Sequence, residues 1–308
     1  MNDDYLWDRS GAADLEVVRL ERRLAPLRYQ PGGLRTGGAN GGAGPARTRW
    51  AMAGALVAAA AALVLMATPG APPSSWGLAG AKLRQGETVR TGNAAVRLEA
   101  DELGRVDLAA NSVLRAAGDK RLALQRGELH AFIWAPAREF VVETPSARAV
   151  DLGCEYTLNV DEKGDGVLHV SMGWVAFQIG EREAFIPAGA TCATRKRGGP
   201  GIPYFEDAPE GVRRGVARLE RGDDGALEEL LAAARPRDGL TLWHLLTRGG
   251  PRDRGAVFER FRGLVKVPEG VTGDAVLRKD GKAIDQCWNA LGLENTGWWR
   301  GWERNWGE

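Results

Sequence analysis

Cysteine is scarce in this sequence of 308 residues: Cys154, Cys192 and Cys287 stand far apart, with no C-x-x-C among them. That excludes a zinc ribbon, a thioredoxin-type motif and a disulfide-dense small domain, so stability must come from ordinary cores. Histidine is equally sparse, and His130, His169 and His244 fall in no H-x-x-x-H or H-E-x-x-H frame that would bring two ligands onto one face. The sequence also lacks G-x-S-x-G, a P-loop and G-x-G-x-x-G. No catalytic, cofactor-binding or metal site is expected, and the chain reads as non-enzymatic. Excess charge is missing too. Lys+Arg number 41 against 40 Asp+Glu, so no positive field exists to drive nucleic-acid binding by counterion release.

Charge is also absent locally. Between Arg49 and Lys82 no side chain is charged, and inside that gap Trp50 to Thr68 reads WAMAGALVAAAAALVLMAT. A run near the ~20 residues that cross a bilayer, apolar on every side, predicts one transmembrane helix over 50–68. Arg35, Arg47 and Arg49 precede it without an acid, and 69–81 carries no charge. The positive-inside rule then places residues 1–49 in the cytoplasm and 70–308 outside, at a bacterial inner membrane.

The rest divides by composition. Residues 1–29 hold one predicted helix, with Asp14 as cap and Val17, Leu20, Leu24 and Leu27 on a single apolar stripe. So short a stripe cannot bury itself, which makes those four residues candidates for docking on a partner. Residues 30–49 form a Gly-rich linker and 69–82 a stiffer spacer. Over 83–204 about eleven short alternating runs, each ended by Gly, Asn, Asp or Pro, predict an all-β unit, sandwich or solenoid. The shared pattern of Leu124-x-x-Gly127-x-Leu129 and Val170-x-x-Gly173-x-Val175 favours the solenoid. Residues 205–308 show three-to-four spacing, which predicts an all-α C-terminal domain with its own core. Its end places Trp298, Trp302 and Trp306 on one helix face.

Within the β region, VVETPSARAVDLGCEYTLNV (Val141 to Val160), VLHVSMGWVAFQI (Val167 to Ile179) and FIPAGATCA (Phe185 to Ala193) resemble the FecR domain. Thr144-Pro145, Gly153, Gly173 and Ala188-Gly189 match its pattern in order, with Cys154 and Tyr156 at positions where the family has Thr and Phe. The resemblance implies a membrane-spanning regulator. In such proteins a short cytoplasmic segment binds an extracytoplasmic-function sigma factor, and the β domain receives a signal outside from an envelope partner not named by the sequence. The alternative is a structural or ligand-binding envelope protein that uses its β domain and exposed tryptophans.

Three smaller features complete the reading. Asp161, Glu162 and Asp165 surround Lys163 and suit a solvated hairpin tip better than a calcium loop. The basic run Thr194 to Arg197 reads as a solvated turn or a contact for anionic components. Cys154 and Cys192 fall on strands of one domain in an oxidising compartment, so a disulfide and two isolated thiols both remain open.

Overall fold

Alternation of apolar and polar side chains over most of the chain's middle builds strands, and three-to-four spacing after it builds helices. The computed structural model describes residues 63–65 and 70–293. The strands are β1 (Leu63–Leu65), β2 (Pro73–Leu78), β3 (Ala81–Arg84), β4 (Thr88–Arg90), β5 (Val96–Ala100), β6 (Gly104–Leu108), β7 (Val113–Gly118) and β8 (Arg121–Ile133). They continue as β9 (Val141–Glu143), β10 (Arg148–Val160), β11 (Gly166–Ile179), β12 (Arg182–Pro187), β13 (Ala190–Arg195), β14 (Gly199–Pro200) and β15 (Tyr204–Phe205). The helices are α1 (Glu210–Leu219), α2 (Ala226–Ala233), α3 (Gly239–Arg248), α4 (Pro251–Leu264), α5 (Gly273–Leu277) and α6 (Gly281–Ala290). Thr272 caps α5 through Ala275 N–H, and Asp280 caps α6 through Ala283 N–H at 2.9 Å.

All fifteen strands join one branched sheet whose main path runs β14-β13-β11-β10-β9-β8-β6-β5-β2-β3. Its pairings are antiparallel apart from β8 with β9. This corrects the solenoid expectation. A solenoid stacks equivalent strands in parallel coils, whereas here successive strands fold back on one another and the sheet does not close. The repeat that suggested coils marks something else: Gly127 and Gly173 both take positive φ, +94° and +70°, inside long strands. A Cβ on Gly127 would lie 2.1 Å from Ser112 Oγ, so only glycine lets β7 and β8 approach there.

The membrane-spanning helix is also corrected. Leu63–Leu65, inside the apolar run, forms β1 and pairs antiparallel with Thr88–Arg90 of β4. No helix among the described residues is long and apolar enough to cross a membrane. An unbroken apolar run has no period to separate a buried strand from a buried helix, which is why the sequence pattern misled. The predicted N-terminal helix, with Val17, Leu20, Leu24 and Leu27, lies outside the described residues, as do Trp298, Trp302 and Trp306.

The expected separate all-α domain is the third correction. Buried residues form one cluster that runs from Trp76 in β2 through Phe177 in β11 to Trp243 in α3 and Trp288 in α6. The ring of Trp288 meets Trp243 at 4.6 Å, Phe185 of β12 at 5.5 Å and Trp174 of β11 at 5.9 Å between centroids. Sheet and helices therefore share a core.

Polar groups tie the same seam. β12 pairs with β11 alone, so N–H and C=O groups on its other edge lack ladder partners. Phe185 N–H donates to His244 Nε2 at 3.1 Å, and Arg248 Nη2 donates to Glu183 O at 2.7 Å. Residues 183 and 185 face the same way along the strand. Two side chains of α3 thus complete the edge. His244 Nδ1 donates to Leu240 O at 2.9 Å, which fixes the neutral tautomer with Nε2 as acceptor. Full burial, with Arg248 near, pushes its pKa down to about 3.

Candidate functional site

Four of the residues that carry the sequence motif meet at the middle of β10 and β11. Thr144 ends β9: its Oγ1 accepts the N–H groups of Ser146 at 3.2 Å and Ala147 at 2.9 Å, turning the chain into β10 ahead of Pro145. Gly153 takes φ +83° where the register shifts between Asp151 and Cys154. Opposite it, Gly173 takes φ +70°, and a Cβ there would lie 1.9 Å from the Gly153 carbonyl oxygen. Ala188 N–H donates to Gly173 O at 2.9 Å and Gly189 N–H to Val170 O at 2.8 Å, so the β12–β13 turn closes over the same point. Gly153, Gly173, Ala188 and Gly189 are brought together. The Thr144-Pro145 turn stands apart from them at the start of β10.

This crossing changes the environment of the strands. From Tyr156 to Val160 side chains alternate between core and surface, whereas Ala149, Val150, Asp151 and Leu152 are all buried. β11 does the same in mirror order, with Trp174 to Phe177 buried in succession. One half of the hairpin keeps an open face, and the other is covered on both sides.

A buried acid sits at the crossing. Asp151 accepts Gly153 N–H at 2.8 Å and the Cys154 thiol, and it is fully shielded from solvent. Burial raises its pKa to about 7, against the opposing pull of those two hydrogen bonds. Burial, with the Asp151 charge next, pushes the Cys154 thiol well above its ordinary range, so it remains a thiol. Asp151 is not among the residues that the sequence pattern singles out. Its one signal was an acid between Val150 and Leu152 in an otherwise apolar run.

The open half presents rows of side chains that the register defines. One row runs Arg97, Asp107, His130, Thr157, His169, and a second runs Glu99, Arg105, Phe132, Glu155, Met172. Arg97 clasps Asp107 through Nε at 2.6 Å and Nη2 at 3.0 Å, which holds that carboxyl below its usual range. His130 Nε2 lies 3.0 Å from Glu155 Oε1, and His169 Nδ1 lies 3.0 Å from Glu206 Oε1. Arg105 stacks over Phe132 at 5.0 Å, while Met172 is 46% exposed and Trp134 52%. The face offers paired charges, an aromatic and a thioether, a mixture suited to recognition.

Other expected residues fall as follows. Asp161 caps the β10–β11 hairpin tip, accepting Lys163 N–H at 2.8 Å and Asp165 N–H at 3.0 Å. The basic run turns from β13 into β14. Cys154 and Cys192 are both buried free thiols, with no bond between them. Cys192 instead donates weakly toward Ala193 O and Gly201 O, and burial lifts it to about 12. Of the five described tryptophans, Trp76, Trp174, Trp243 and Trp288 are buried and only Trp134 is exposed. That leaves the reading based on exposed tryptophans little surface among the described residues.

Residues 87–176 match the model of the FecR protein family. No curated protein matches the sequence. Two crystal structures of a proposed anti-sigma factor from Parabacteroides distasonis ATCC 8503 are similar at 16% identity. One has a TM-score of 0.34 and covers 39% of this chain and 60% of its own, and the other has 0.33 with 45% and 71%. The chain thus spans about 60% of the length of the first.

Proposed function

We propose that this chain is a signalling regulator of the FecR type, non-enzymatic, which relays a signal to a sigma factor. The observation that carries the reading is the family match over 87–176, a span that includes the Thr144 turn, both crossing glycines and most of the open face. The sigma factor enters as what FecR-type regulation implies. Its docking residues, in this proposal, are Val17, Leu20, Leu24 and Leu27, because a lone apolar stripe on the short helix that the sequence predicts needs a partner to cover it.

The compartment belongs to the same proposal. Residues 70–308 are proposed to lie outside the bacterial cytoplasm, because FecR-type regulation implies a β domain that receives its signal there. Protease added to intact and to lysed spheroplasts checks it: the β region should be cleaved in both, and protection in intact spheroplasts would reverse the placement.

Co-purification tests the partner. Full-length chain should capture an extracytoplasmic-function sigma factor from its own cells, and Leu20→Asp should lose it, since a charge forced into an apolar groove is desolvated without compensation. Equal capture by both forms would remove the stripe from the mechanism, and no sigma factor with either would remove the reading.

A further inference from the structure

Where β12, β13 and β14 meet the ends of α1 and α3 there is a cavity of about 190 Å³. Three guanidinium groups line it, Arg182, Arg195 and Arg248, together with one carboxylate, Glu220. Arg248 is fastened to the protein by Glu183 O at 2.7 Å, Pro200 O at 3.1 Å and Gly201 O. Arg182 donates to Gly198 O, and Arg195 reaches Asp165 only at 3.8 Å. Glu220 accepts Ile202 N–H at 2.7 Å and forms no ion pair among the described residues. Burial raises the Glu220 pKa above its ordinary value, while the Ile202 N–H bond and the charges of Arg195, Arg248 and Arg182 pull the other way.

The wall is built to hold that carboxylate at the cavity. A Cβ on Gly201 would lie 2.0 Å from Glu220 Oε1, and one on Gly199, at φ +66°, 2.3 Å from Ile179 Cγ2. Loop N–H groups are already used: Gly198 N–H donates to Arg195 O and Gly201 N–H to Ala193 O. Recognition must come from the side chains. Three cations and one anion around a confined space leave an excess of two positive charges, and none of them is neutralised by direct contact with Glu220. Such a group of partly desolvated charges favours an anion that brings its own oxygens to the guanidinium donors. Glu220 adds a condition. An ionised carboxylate repels a bare anion and accepts from one that carries a proton.

From this arrangement we infer that the cavity is a binding site for a protonated oxyanion, of the kind that inorganic hydrogen phosphate supplies. Arg182, Arg195 and Arg248 hold its oxygens, and Glu220 accepts its O–H. The site spans sheet and helices, so occupancy ties α1 and α3 to β12 and β13. It stands independently of the regulatory reading, since no residue of it contacts a sigma factor in that proposal.

Sulfate is the discriminating control, because it has the shape of phosphate but carries no O–H at neutral pH. Calorimetric titration of the full-length chain with inorganic phosphate and with sulfate, at matched ionic strength, should show phosphate binding at least about tenfold tighter, the worth of one charge-assisted hydrogen bond. Glycerol phosphate in a third titration is a second control: at neutral pH its phosphate is largely a dianion without O–H, so it should bind more weakly than inorganic phosphate. Preference for it over inorganic phosphate would overturn the role of Glu220. Glu220→Gln keeps an acceptor for Ile202 N–H and should abolish the preference over sulfate. Arg182→Gln, exposed and remote from the core, should weaken both anions. Equal binding of phosphate and sulfate to the unsubstituted chain, or no binding of either, would refute the site, as would a preference that survives Glu220→Gln.

Discussion

The backbone N–H of Phe185 on strand β12 ends on Nε2 of His244 in helix α3, 3.1 Å away and closed off from solvent. A strand edge is thereby completed by a helix side chain, and the bond holds only while that nitrogen lacks a proton. Asp151, one register position away on β10 across β11, is the converse case, a carboxyl whose burial favours keeping its proton.

Their linkage to pH has opposite signs. His244 goes from an unfolded value of 6.5 to about 3, so the unfolded chain binds the extra proton and stability falls as pH drops below 6.5. Asp151 goes from 3.8 to about 7, so the folded chain binds the extra proton and stability is lost as pH rises through that interval. Between roughly pH 4 and 6.5 the two slopes cancel, each being about 1.4 kcal/mol per pH unit. Asp151→Asn should expose the His244 slope, with stability rising toward pH 6.5, and His244→Gln the reverse. Chemical denaturation across that range measures both. A flat profile in either variant would contradict the assignment.

The two crossing glycines should differ sharply. Gly173→Ala drives a methyl to 1.9 Å from the Gly153 carbonyl and should cost about 3 kcal/mol or more, combining overpacking with a left-handed backbone. Gly153→Ala meets nothing within 4 Å and should cost only the conformational strain, about 1–2 kcal/mol. Equal losses in urea midpoint would show that the close approach is not what selects glycine at 173.

Much of this was written in the sequence, and one kind of signal was read backwards. The runs AVRLEA and GRVDLA became β5 and β6, and DGKAIDQCWNA became α6 behind its Asp280 cap. Gly127, Gly153 and Gly173, however, read as breaks between short strands, whereas each lies inside a strand of 13 or 14 residues as a bulge or close approach. Glycine ends a strand or kinks it by the same freedom at φ > 0, and only the partner strand decides which. The motif glycines were legible as motif but not as geometry. Asp151, His244 and Glu220 were not legible, because burial of a polar residue depends on elements distant in the chain. His244 acquires its role from Phe185, 59 residues earlier.

A shared core also predicts shared unfolding. Trp288 is buried among Trp243, Phe185 and Trp174, so Trp288→Ala should cost about 3–5 kcal/mol. The loss should appear in one cooperative transition for sheet and helices together, followed by far-ultraviolet circular dichroism and by tryptophan fluorescence. Two separated transitions, with only the helices shifted, would mean that the cores are independent.

The regulatory claim is tested most directly by transcription. Transcript levels would be compared across cells with the chain deleted, with the co-purifying sigma factor deleted, and with both. The account predicts that loss of the chain changes a defined set of transcripts sharing one promoter type, and that the change disappears when the sigma factor is deleted as well. An unchanged transcript profile on deletion of the chain, or a change that persists without the sigma factor, would contradict it.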